Sequence, residues 1–461
     1  MRHPNRTRFR WVGAVAAIAV VTAPVAALAQ PADGAPPADD SRTSEVVAHD
    51  SLDGALVAAG TTREGFRSDS ALAERLAAAS EEYAARFPAA FAGVRIDGGA
   101  GQVAVVRDGH DADALAADAR ARGFVVLAAP AAARDLDDTA GRGPAWADSL
   151  PTEQREAITT VDGDPLSGDV TVLVDGSPAA PVPPADLGTG VRAAGFLPAQ
   201  GSLGSAAPPD APPGPAPPPA PPPVTPPPSP PAPGSMAGGT RVLITSPAGD
   251  IANWCSLGFN GLRGGRVVNI TAAHCSTFPD RVTSRTVFRP GTVSEGPSSP
   301  RLGAFTAAEV DEGLDAALVS IDPAAETRFR NSHVLAADAQ PLALSGSQRP
   351  VVGQLLCKYG QRTGYTCGKV SGVDSASPGG TTNVEVDLCA IAGDSGGVVF
   401  SSTRAVAVTS LSNAFDQYGV PYEDCATARD ALARWRTVPM IVGVTVGAIE
   451  NRFPGLQVGA S

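Results

Sequence analysis

A run of prolines divides this chain of 461 residues into two parts. Between positions 208 and 233 there are 17 prolines in 26 residues. Proline lacks a backbone N–H and fixes φ, so such a run supports neither helices nor sheet ladders and favours extended polyproline II. At about 3.1 Å per residue it would span on the order of 80 Å. We therefore expect a stiff spacer at 206–235 between two folding units, with a ligand for a proline-binding partner as the alternative.

The first 29 residues have the pattern of a secretory signal peptide. A basic segment, MRHPNRTRFR, precedes an apolar stretch from Trp11. A cleavage motif of small residues follows at Ala27, Leu28 and Ala29. The alternative is an uncleaved membrane anchor. Pro24 and the small-residue cleavage motif favour a cleaved signal peptide over an anchor. The sequence therefore predicts a signal peptide at 1–29 and a secreted protein with no stable membrane anchor.

Charge and cysteine are unevenly distributed between the two parts. Residues 30–235 contain 13 Lys and Arg against 28 Asp and Glu, whereas residues 236–461 contain 18 against 19. Binding of nucleic acid needs a basic patch, so we exclude that class of function. All six cysteines lie in the second part, where an even number on an exported chain favours disulfides over a metal site. Spacing alone leaves fifteen pairings open.

Residues 30–205 have the pattern of an acidic α/β unit. Apolar residues first recur at helical spacing, and then alternate around glycine-rich turns as in hairpins. The predicted order is a helix, a hairpin, a helix, a strand and a second hairpin, at 70–87, 94–109, 111–122, 124–130 and 161–176. The second hairpin repeats the order of acidic, turn and Val-x-Val residues of the first. Two small α/β units, each with a hairpin, are therefore expected.

After the spacer, the sequence consists of short β-rich runs separated by Gly, Pro, Ser and Asp. The runs include RVLITSP, RVVNITAAHC, DAALVSID, VVGQLLCKYG, NVEVDLC, GGVVFSS, AVAVTSL and MIVGVTVG. Many short strands with turns between them are typical of an all-β barrel or sandwich. Only 424–436 has a helical pattern.

Three side chains suited to acyl transfer occur along the chain in the order His, Asp, Ser. Ser395 lies in GDSGG, His274 in TAAHC and Asp315 at the start of DAALV. The order His, Asp, Ser is that of chymotrypsin-like chains and differs from those of α/β-hydrolases and subtilisin. In that arrangement His274 takes the proton of Ser395 and later gives it to the leaving amine, while Asp315 holds the imidazole tautomer.

The glycines around Ser395 fit a second requirement of this chemistry. An oxyanion needs converging backbone N–H groups, and glycine lets a loop curl without Cβ clashes. We expect the N–H groups of Gly393 and Ser395 to form this oxyanion hole. Loss of one such donor typically lowers the rate by a factor of about 10² to 10³.

Residues 236–461 resemble the bacterial chymotrypsin-like serine proteases of the streptogrisin and α-lytic type over essentially the whole segment. The resemblance is carried by MAGG with CSLGFN, TAAHC, CKYGQRTGYTCGKVSG and CAIAGDSGG. The family implies an all-β fold of two six-stranded antiparallel barrels with the site in the cleft. It also implies the disulfides Cys255–Cys275, Cys357–Cys367 and Cys389–Cys425.

The same resemblance implies an ion-pair partner for the carboxylate of Asp394, the residue before Ser395. In the bacterial proteases this acid pairs with a cation beside the first cysteine of the short disulfide loop. Here the two residues are Asp394 and Lys358. A buried carboxylate that loses its partner costs several kcal/mol. We therefore expect a structural ion pair that holds the oxyanion loop open for substrate.

A further match concerns substrate binding. Ser410, Leu411 and Ser412 correspond to the strand that pairs with a substrate backbone and edges the first specificity pocket. The family often has glycine where Leu411 and Ser412 stand, so the resemblance implies a narrowed pocket that favours small or medium apolar residues. Asp387 could instead select Arg or Lys, although a solvated acid at a strand end is the simpler interpretation.

Residues 70–176 resemble the pro-regions of the same family more weakly, in RFPAAFAGVRIDGGAGQVAVV and VDGDPLSGDVTV. The resemblance implies a folding assistant and inhibitor that is removed after export, with a mature start near Met236. A retained binding module tethered to the protease is the alternative. Because the proline spacer intervenes, we do not expect the pro-region tail to inhibit by lying in the cleft.

Together these patterns predict a secreted bacterial serine endopeptidase made as a proenzyme. We expect a monomer that acts on protein or peptide substrates and needs neither a cofactor nor a metal. A non-catalytic, protease-like binding or cell-surface protein is one alternative, and an esterase using the same site is another. The presence of every triad and oxyanion residue favours the endopeptidase.

Overall fold

The computed structural model describes residues 52–135, short stretches between 146 and 198, and most of 234–459. The last range lacks 248, 250–251, 280–285, 289–290, 310–313, 374–382, 417–418 and 435–436. The predicted signal peptide and nearly all of the predicted spacer lie outside the described residues. Among the described residues, no helix is both long enough and apolar enough to cross a membrane.

The chain before the spacer begins with a small sheet covered by helices. Its elements are α1 Leu52–Ala58, α2 Arg63–Arg86, β1 Phe91–Asp97, β2 Ala100–Val106, α3 Ala112–Ala121 and β3 Val125–Ala129. Strands β1 and β2 are antiparallel, whereas β3 is parallel to β2 and is reached through α3. The core between helices and sheet contains Leu76, Tyr83, Val103 and Leu115. The predicted helix, hairpin, helix and strand are confirmed here.

Helix α2 begins earlier than its apolar pattern indicates. The pattern predicts a helix over 70–87, but the helix starts at Arg63. Thr62 caps it, because its hydroxyl accepts a hydrogen bond from the Gly65 N–H at 3.1 Å. Phe66, in the added turns, is buried in a cluster with residues from the second part of the chain. The early turns are therefore stabilised by a surface that the helix pattern alone does not reveal.

A second small sheet repeats the topology of the first. Strands β4 Ile158–Asp164 and β5 Asp169–Val174 form an antiparallel hairpin, and β6 Gly190–Ala193 pairs in parallel with β5. The hairpin predicted at 161–176 is confirmed. The strand β7 Leu197–Pro198 pairs instead with a strand of the second part of the chain.

Residues after the spacer form two β-structured halves. Their strands are β8 Arg241–Thr245, β9 Ala252–Ser256, β10 Asn260–Arg263, β11 Arg266–Thr271, β12 Thr277–Pro279, β13 Thr286–Phe288, β14 Thr292–Ser294, β15 Arg301–Glu309, β16 Ala316–Ile321, β17 His333–Leu335, β18 Pro341–Ala343, β19 Leu355–Gly360, β20 Gly364–Val373, β21 Asn383–Val386, β22 Val398–Ser401, β23 Arg404–Ser412, β24 Ile441–Thr445 and β25 Leu456–Val458. Each of the eight β-rich runs quoted from the sequence overlaps one of these strands.

The first half is one antiparallel sheet of eight strands, in the order β25-β10-β11-β16-β15-β14-β8-β9. Its core contains the buried side chains of Ile244, Phe305, Val319 and Phe329. The resemblance implies six strands for this half. One of the additional strands is β25, which comes from the end of the chain, so the last residues help to complete the first half.

The second half is a closed barrel of six antiparallel strands, and it confirms the β-barrel prediction. The strand order is β22-β19-β20-β21-β24-β23, and pairing of β22 with β23 closes the barrel. Its interior contains Leu356, Val384, Val399 and Val406. Strand β23 is longer than β22, so its final residues extend past the pairing that closes the barrel.

The second part also contains three short helices within its described residues, α4 Glu326–Phe329, α5 Cys425–Ala433 and α6 Val446–Arg452. The sequence predicts only α5. Helix α6 directly follows β24 and begins inside the apolar run MIVGVTVG, a pattern that favours a strand. The change occurs at Thr445, whose hydroxyl accepts a hydrogen bond from the Ala448 N–H at 3.3 Å and caps the helix.

The first small sheet packs directly on the closed barrel. The Leu355 N–H donates to Asp69 Oδ2 at 2.7 Å, and the Ile96 N–H donates to the Val352 carbonyl at 2.8 Å. At Gly353 φ is +82°, and a Cβ there would lie 1.9 Å from the Ile96 carbonyl oxygen. Only glycine allows so close an approach of two backbones. The two parts of the chain therefore share a hydrogen-bonded interface.

The six cysteines form three disulfides, Cys255–Cys275, Cys357–Cys367 and Cys389–Cys425. Their sequence separations are 20, 10 and 36 residues. By restricting the unfolded chain, closed loops of this size typically contribute about 2–4 kcal/mol each to the free energy of unfolding. The first joins β9 to the segment after β11, and the third joins the start of α5 to the segment before Ser395.

Candidate active site

His274 is held in a tight turn after β11. A single 3₁₀ turn spans Ala273–Ser276, and its Cys275 is bonded to Cys255 on β9. The Cys275 Sγ also lies 3.9 Å from the carbonyl oxygen of Ser395. His274 and Ser395 are therefore carried on backbone segments that touch, although they are far apart in the sequence.

Asp315 fixes the histidine ring from two sides. It lies one residue before β16, which pairs with β11. Its Oδ1 accepts a hydrogen bond from the His274 backbone N–H at 2.9 Å, and its Oδ2 lies 2.6 Å from His274 Nδ1. The Ser410 hydroxyl donates to the same Oδ2 at 2.6 Å. The structure thus brings His274 and Asp315 together and adds Ser410 as a third partner.

Burial and hydrogen bonding act in opposite directions on Asp315. Removal from water alone would raise the pKa of its carboxyl group. The nearby charge of His274 and the hydrogen bonds from His274 and Ser410 outweigh burial, so the pKa of Asp315 lies below its ordinary value. The carboxylate is therefore ionised at neutral pH. It favours the tautomer with the proton on Nδ1, which leaves Nε2 as the basic ring nitrogen.

The loop that carries Ser395 is bound to both halves of the second part. The Ser395 carbonyl accepts a hydrogen bond from the Ser256 N–H of β9 at 2.8 Å. The Gly396 N–H donates to the Thr409 carbonyl at 2.9 Å, and the Thr409 N–H donates to the Gly397 carbonyl at 2.8 Å. Because Thr409 lies on β23, the serine is at the junction of the sheet and the closed barrel.

Two glycines beside Ser395 are required by the shape of this loop. Gly393 has φ +107°, and a Cβ there would lie 2.4 Å from Gln361 Nε2. Gly396 has φ +79°, and its Cβ would lie 1.9 Å from Thr271 Oγ1. Side chains at these positions would be strained and would also displace their neighbours. The run GDSGG is therefore explained by backbone geometry.

Asp394 is buried and accepts hydrogen bonds from several donors. Its Oδ1 accepts from the N–H groups of Arg362 and Thr363 at 2.9 and 3.0 Å. Its Oδ2 accepts from the Thr363 hydroxyl at 2.6 Å, the Ile391 N–H at 3.1 Å and Lys358 Nζ at 3.3 Å. The pair with Lys358 is present, but the shortest of these bonds come from the turn at 362–363.

Lys358 is as buried as its partner, since both side chains are 0% exposed. Burial lowers the pKa of Lys358, and the attraction of Asp394 and their hydrogen bond act against that shift. Its Nζ also contacts the Thr363 hydroxyl and donates to the Gly364 carbonyl at 3.3 Å. Lysine, threonine and aspartate therefore form one buried chain of polar contacts beneath the serine loop.

The variant Lys358→Met is expected to lower the free energy of unfolding by about 3 kcal/mol, because it leaves Asp394 buried without its counter-charge. We also expect a lower rate of peptide hydrolysis, since the serine loop is held through Asp394. The control is Lys369→Met, which changes the other lysine of the chain, exposed on β20. Equal denaturation midpoints and equal rates for the two variants would show that the ion pair does not hold the loop.

The side chains of the predicted substrate-binding segment are all engaged with the protein. The Ser410 hydroxyl is used by the carboxylate described above. The Ser412 hydroxyl donates to the Ala390 carbonyl at 2.5 Å, and Leu411 packs against Met440. A ligand at this part of β23 would therefore bind to the backbone edge of the strand and not to these side chains.

That edge carries another segment of the same chain. Strand β7 pairs with the end of β23, with Leu197 opposite Ser412 and Pro198 opposite Leu411. From the sequence, a tail of the first part is not expected to inhibit by lying in the cleft, because the proline spacer intervenes. That expectation is wrong for this segment, since β7 precedes the spacer and the length of the spacer does not limit its reach.

Asp387 lies outside the protein interior. It follows β21, its side chain is exposed, and its N–H donates to the Lys369 carbonyl at 2.9 Å. The interaction of an exposed carboxylate with a substrate cation is weakened by water and salt. The structure therefore supports the interpretation of Asp387 as a solvated acid at a strand end.

Two hydroxyl groups of the site are missed by sequence reasoning. The Ser256 hydroxyl donates to the Gly393 carbonyl at 3.0 Å and accepts from the Gln361 N–H at 2.9 Å. Thr363 links the two members of the buried ion pair. Both residues lie inside motifs quoted for the family resemblance, CSLGFN and CKYGQRTGYTCGKVSG. Single hydroxyls have no spacing pattern that would have marked them.

Comparison with known proteins finds bacterial proteases. Streptogrisin-C of Streptomyces griseus is 30% identical over 160 residues, which cover 34% of this chain and 32% of that protein. Streptogrisin-D of the same organism is 30% identical over 176 residues, covering 35% and 40%. Serine protease 2 of Streptomyces fradiae is 28% identical over 169 residues, covering 34% and 85%. The matched segment thus spans about a third to two fifths of the length of the two streptogrisins.

Two solved structures are also similar to about half of this chain. Thermobifida fusca protease A matches with a TM-score of 0.35 and 22% identity, over 49% of this chain and 100% of that chain. The Nocardiopsis protease matches with a TM-score of 0.34 and 24% identity, over 49% and 98%. No family model matches the chain.

Proposed function

Because the chain is related to the bacterial chymotrypsin-like serine proteases, we propose that residues 236–461 form a serine endopeptidase. The observation that supports this most strongly is the hold of Asp315 on both the backbone N–H and the Nδ1 of His274. This arrangement orients one ring nitrogen as a base beside the segment that carries Ser395. A general base with a fixed tautomer is what a serine needs to become a nucleophile.

In the proposed reaction, Ser395 Oγ adds to the carbonyl carbon of a peptide bond while Nε2 of His274 takes the hydroxyl proton. Asp315 stabilises the imidazolium that forms. His274 then gives the proton to the leaving amine, and the acyl group remains on Ser395. Water attacks this ester with the same imidazole as base, which releases the acid and restores the serine.

The negative oxygen of the tetrahedral intermediate is assigned to the N–H groups of Gly393 and Ser395. The positive φ of Gly393 and the absence of space for a Cβ support this assignment, because the loop can keep this curl only with glycine. Preorganised donors of this kind stabilise the developing charge without reorganisation during the reaction. The ion pair of Asp394 and Lys358 would keep the loop in that shape.

We assign the region before the spacer to a pro-region of a secreted proenzyme, which assists folding and covers the site. Its contacts through Asp69 and Ile96 with the closed barrel, and the pairing of β7 with β23, support this role. A retained accessory domain is the alternative. Removal of the predicted signal peptide at 1–29 and export would precede any processing.

The backbone edge at the end of β23, which pairs with β7 in this chain, favours peptides over simple esters as substrates. Extended peptides bind such an edge by adding a strand, whereas an ester without amide groups cannot form this ladder. An esterase would use the same acyl chemistry but would not need the edge. A non-catalytic binding protein would need neither the held imidazole nor the curled serine loop.

Casein hydrolysis by the expressed chain, measured beside Ser395→Ala, tests the proposed function. We expect hydrolysis only with Ser395 present. Equal rates for the two proteins would remove the endopeptidase proposal. Hydrolysis of small esters without hydrolysis of casein would favour the esterase instead.

A further inference from the structure

The side chain of Ser256, the last residue of β9, contacts two segments that are far from it in the sequence. Its hydroxyl donates to the Gly393 carbonyl at 3.0 Å and accepts a hydrogen bond from the Gln361 N–H at 2.9 Å. Ser256 is 0% exposed, so bulk water does not compete for either bond. One buried hydroxyl therefore joins β9, the turn after β19 and the loop that carries Ser395.

The backbone of Ser256 is bonded to the same loop. Its N–H donates to the Ser395 carbonyl at 2.8 Å. Ser256 thus holds the carbonyl groups of Gly393 and Ser395, which are the two residues whose N–H groups are assigned above to the oxyanion hole. The Ser256 carbonyl in turn accepts from the Thr271 hydroxyl at 3.1 Å, which ties this end of β9 to β11. A single residue outside the loop therefore restrains both donor residues.

The peptide group between Gly393 and Asp394 is held at both of its ends. Its carbonyl accepts from the Ser256 hydroxyl, and its N–H donates to the Ile391 carbonyl at 3.0 Å. This peptide group lies between the two peptide groups that carry the assigned donors. Its orientation therefore determines whether their N–H groups converge, and the Ser256 hydroxyl is the restraint on its carbonyl end.

Glycine at position 393 makes such a restraint necessary. Gly393 has φ +107°, which side chains rarely adopt, and without a Cβ its backbone has more accessible conformations than that of any other residue. Glycine permits the curl of the loop but does not select it. The hydrogen bond from Ser256 selects one conformation among those that glycine allows.

The same end of β9 is also connected to the base. Cys255, the residue before Ser256, is bonded to Cys275, the residue after His274. Two consecutive residues of β9 therefore hold the turn of His274 and the loop of Ser395. This connection fixes the position of the oxyanion loop relative to the base.

We propose that Ser256 is a positioning residue, whose hydroxyl fixes the peptide group after Gly393 so that the two N–H donors of the oxyanion hole converge. This inference rests on the endopeptidase function proposed above. The Ser256 hydroxyl is buried and bonded to the protein's own backbone, so it does not contact the substrate. It affects the transition state through the geometry of the donors.

The variant Ser256→Ala tests this inference, because it removes the hydroxyl and keeps the backbone bond to Ser395. Complete loss of one oxyanion donor lowers the rate by a factor of about 10² to 10³, and a donor that is present but misaligned should cost less. We expect kcat for casein hydrolysis, per active site, to fall by about 10- to 100-fold, with KM changed by less than about twofold. The pH at which kcat is half-maximal should not change, since His274 and Asp315 keep their contacts.

The matched control is Ser401→Ala, which removes the hydroxyl of another serine that is 0% exposed. Ser401 lies on β22 and donates to the Leu355 carbonyl at 3.4 Å, away from the serine loop. We expect both alanine variants to lower the midpoint of thermal unfolding by a few degrees. Only Ser256→Ala is expected to lose kcat.

Two further measurements separate positioning from a general loosening of the fold. Ser256→Thr keeps a hydroxyl and is expected to retain kcat within about fivefold. A fluorophosphonate places its phosphoryl oxygen in the oxyanion hole as Ser395 reacts, so Ser256→Ala is expected to be labelled about 10- to 100-fold more slowly than the unchanged chain.

Several results would overturn this inference and leave the proposed function intact. They are full kcat in Ser256→Ala, an equal loss of kcat in Ser401→Ala, a raised KM with unchanged kcat, an unchanged rate of labelling, and a threonine variant as slow as the alanine variant. Absence of Ser395-dependent casein hydrolysis in the unchanged chain would instead remove the proposed function itself.

Discussion

Replacement of Ser395 by alanine is expected to lower kcat for peptide hydrolysis by about 10⁶-fold, the scale seen when a triad nucleophile is removed. The alcohol is the atom that bonds to the substrate, and the fold offers no second nucleophile on the serine loop. The backbone at this position should be unchanged, because alanine fits wherever serine does. The measurement is the rate of casein hydrolysis at saturating substrate.

The control for this variant is Ser298→Ala, which removes an exposed hydroxyl from the segment between β14 and β15. It is expected to keep the full rate. Thermal unfolding of both variants should match that of the unchanged chain within a few degrees. A Ser395→Ala chain that hydrolyses the peptide as fast as Ser298→Ala would contradict the assignment of the nucleophile.

Asp315→Asn is expected to lower kcat by about 10⁴-fold. The carboxylate accepts from both the backbone N–H and Nδ1 of His274, and these bonds fix the ring with its proton on Nδ1. An amide can donate to Nδ1 instead, which moves the ring proton to Nε2 and removes the base that Ser395 needs. The fold should survive, because asparagine has nearly the same shape.

Ser410→Ala is the graded control for this prediction. It removes one hydrogen bond to the Asp315 carboxylate and leaves both contacts to His274. A hydrogen bond to a charged group contributes about 1.5–3 kcal/mol, so the expected loss in kcat is at most about 100-fold. If Asp315→Asn lost no more activity than Ser410→Ala, Asp315 would not be the residue that sets the tautomer.

The sequence is most informative where chemistry and spacing coincide. The order of His274, Asp315 and Ser395 predicts one site, and the structure places the first two within hydrogen-bond distance and the third on a contacting segment. The glycines of GDSGG predict a tightly curled loop, and positive φ angles at Gly393 and Gly396 agree with it. Such features are predictable because each depends on a few residues in one short segment.

Other features depend on contacts that no local pattern encodes. The early start of α2 follows from a cap at Thr62 and from the burial of Phe66 against the second part of the chain. The pairing of β25 with β10 joins segments from opposite ends of the second part. The role of Ser256 at the serine loop likewise needs three segments to meet. These arrangements are set by tertiary packing.

The position of β7 shows the same limit most clearly. A two-residue strand has no periodicity, and a proline at Pro198 argues against an interior strand. It nevertheless pairs with the edge of β23, with Pro198 opposite Leu411. The sequence therefore does not predict this strand, which lies just before the expected spacer.

Covalent labelling measures whether His274 and Asp315 activate Ser395 as a nucleophile. The expressed protein is treated with a fluorophosphonate, and the labelled residue is located by mass spectrometry of peptides. We predict one label per chain, on Ser395, and almost none on His274→Ala under the same conditions. Labelling of a different serine, or equal labelling of Ser395 in the chain without His274, would contradict the account.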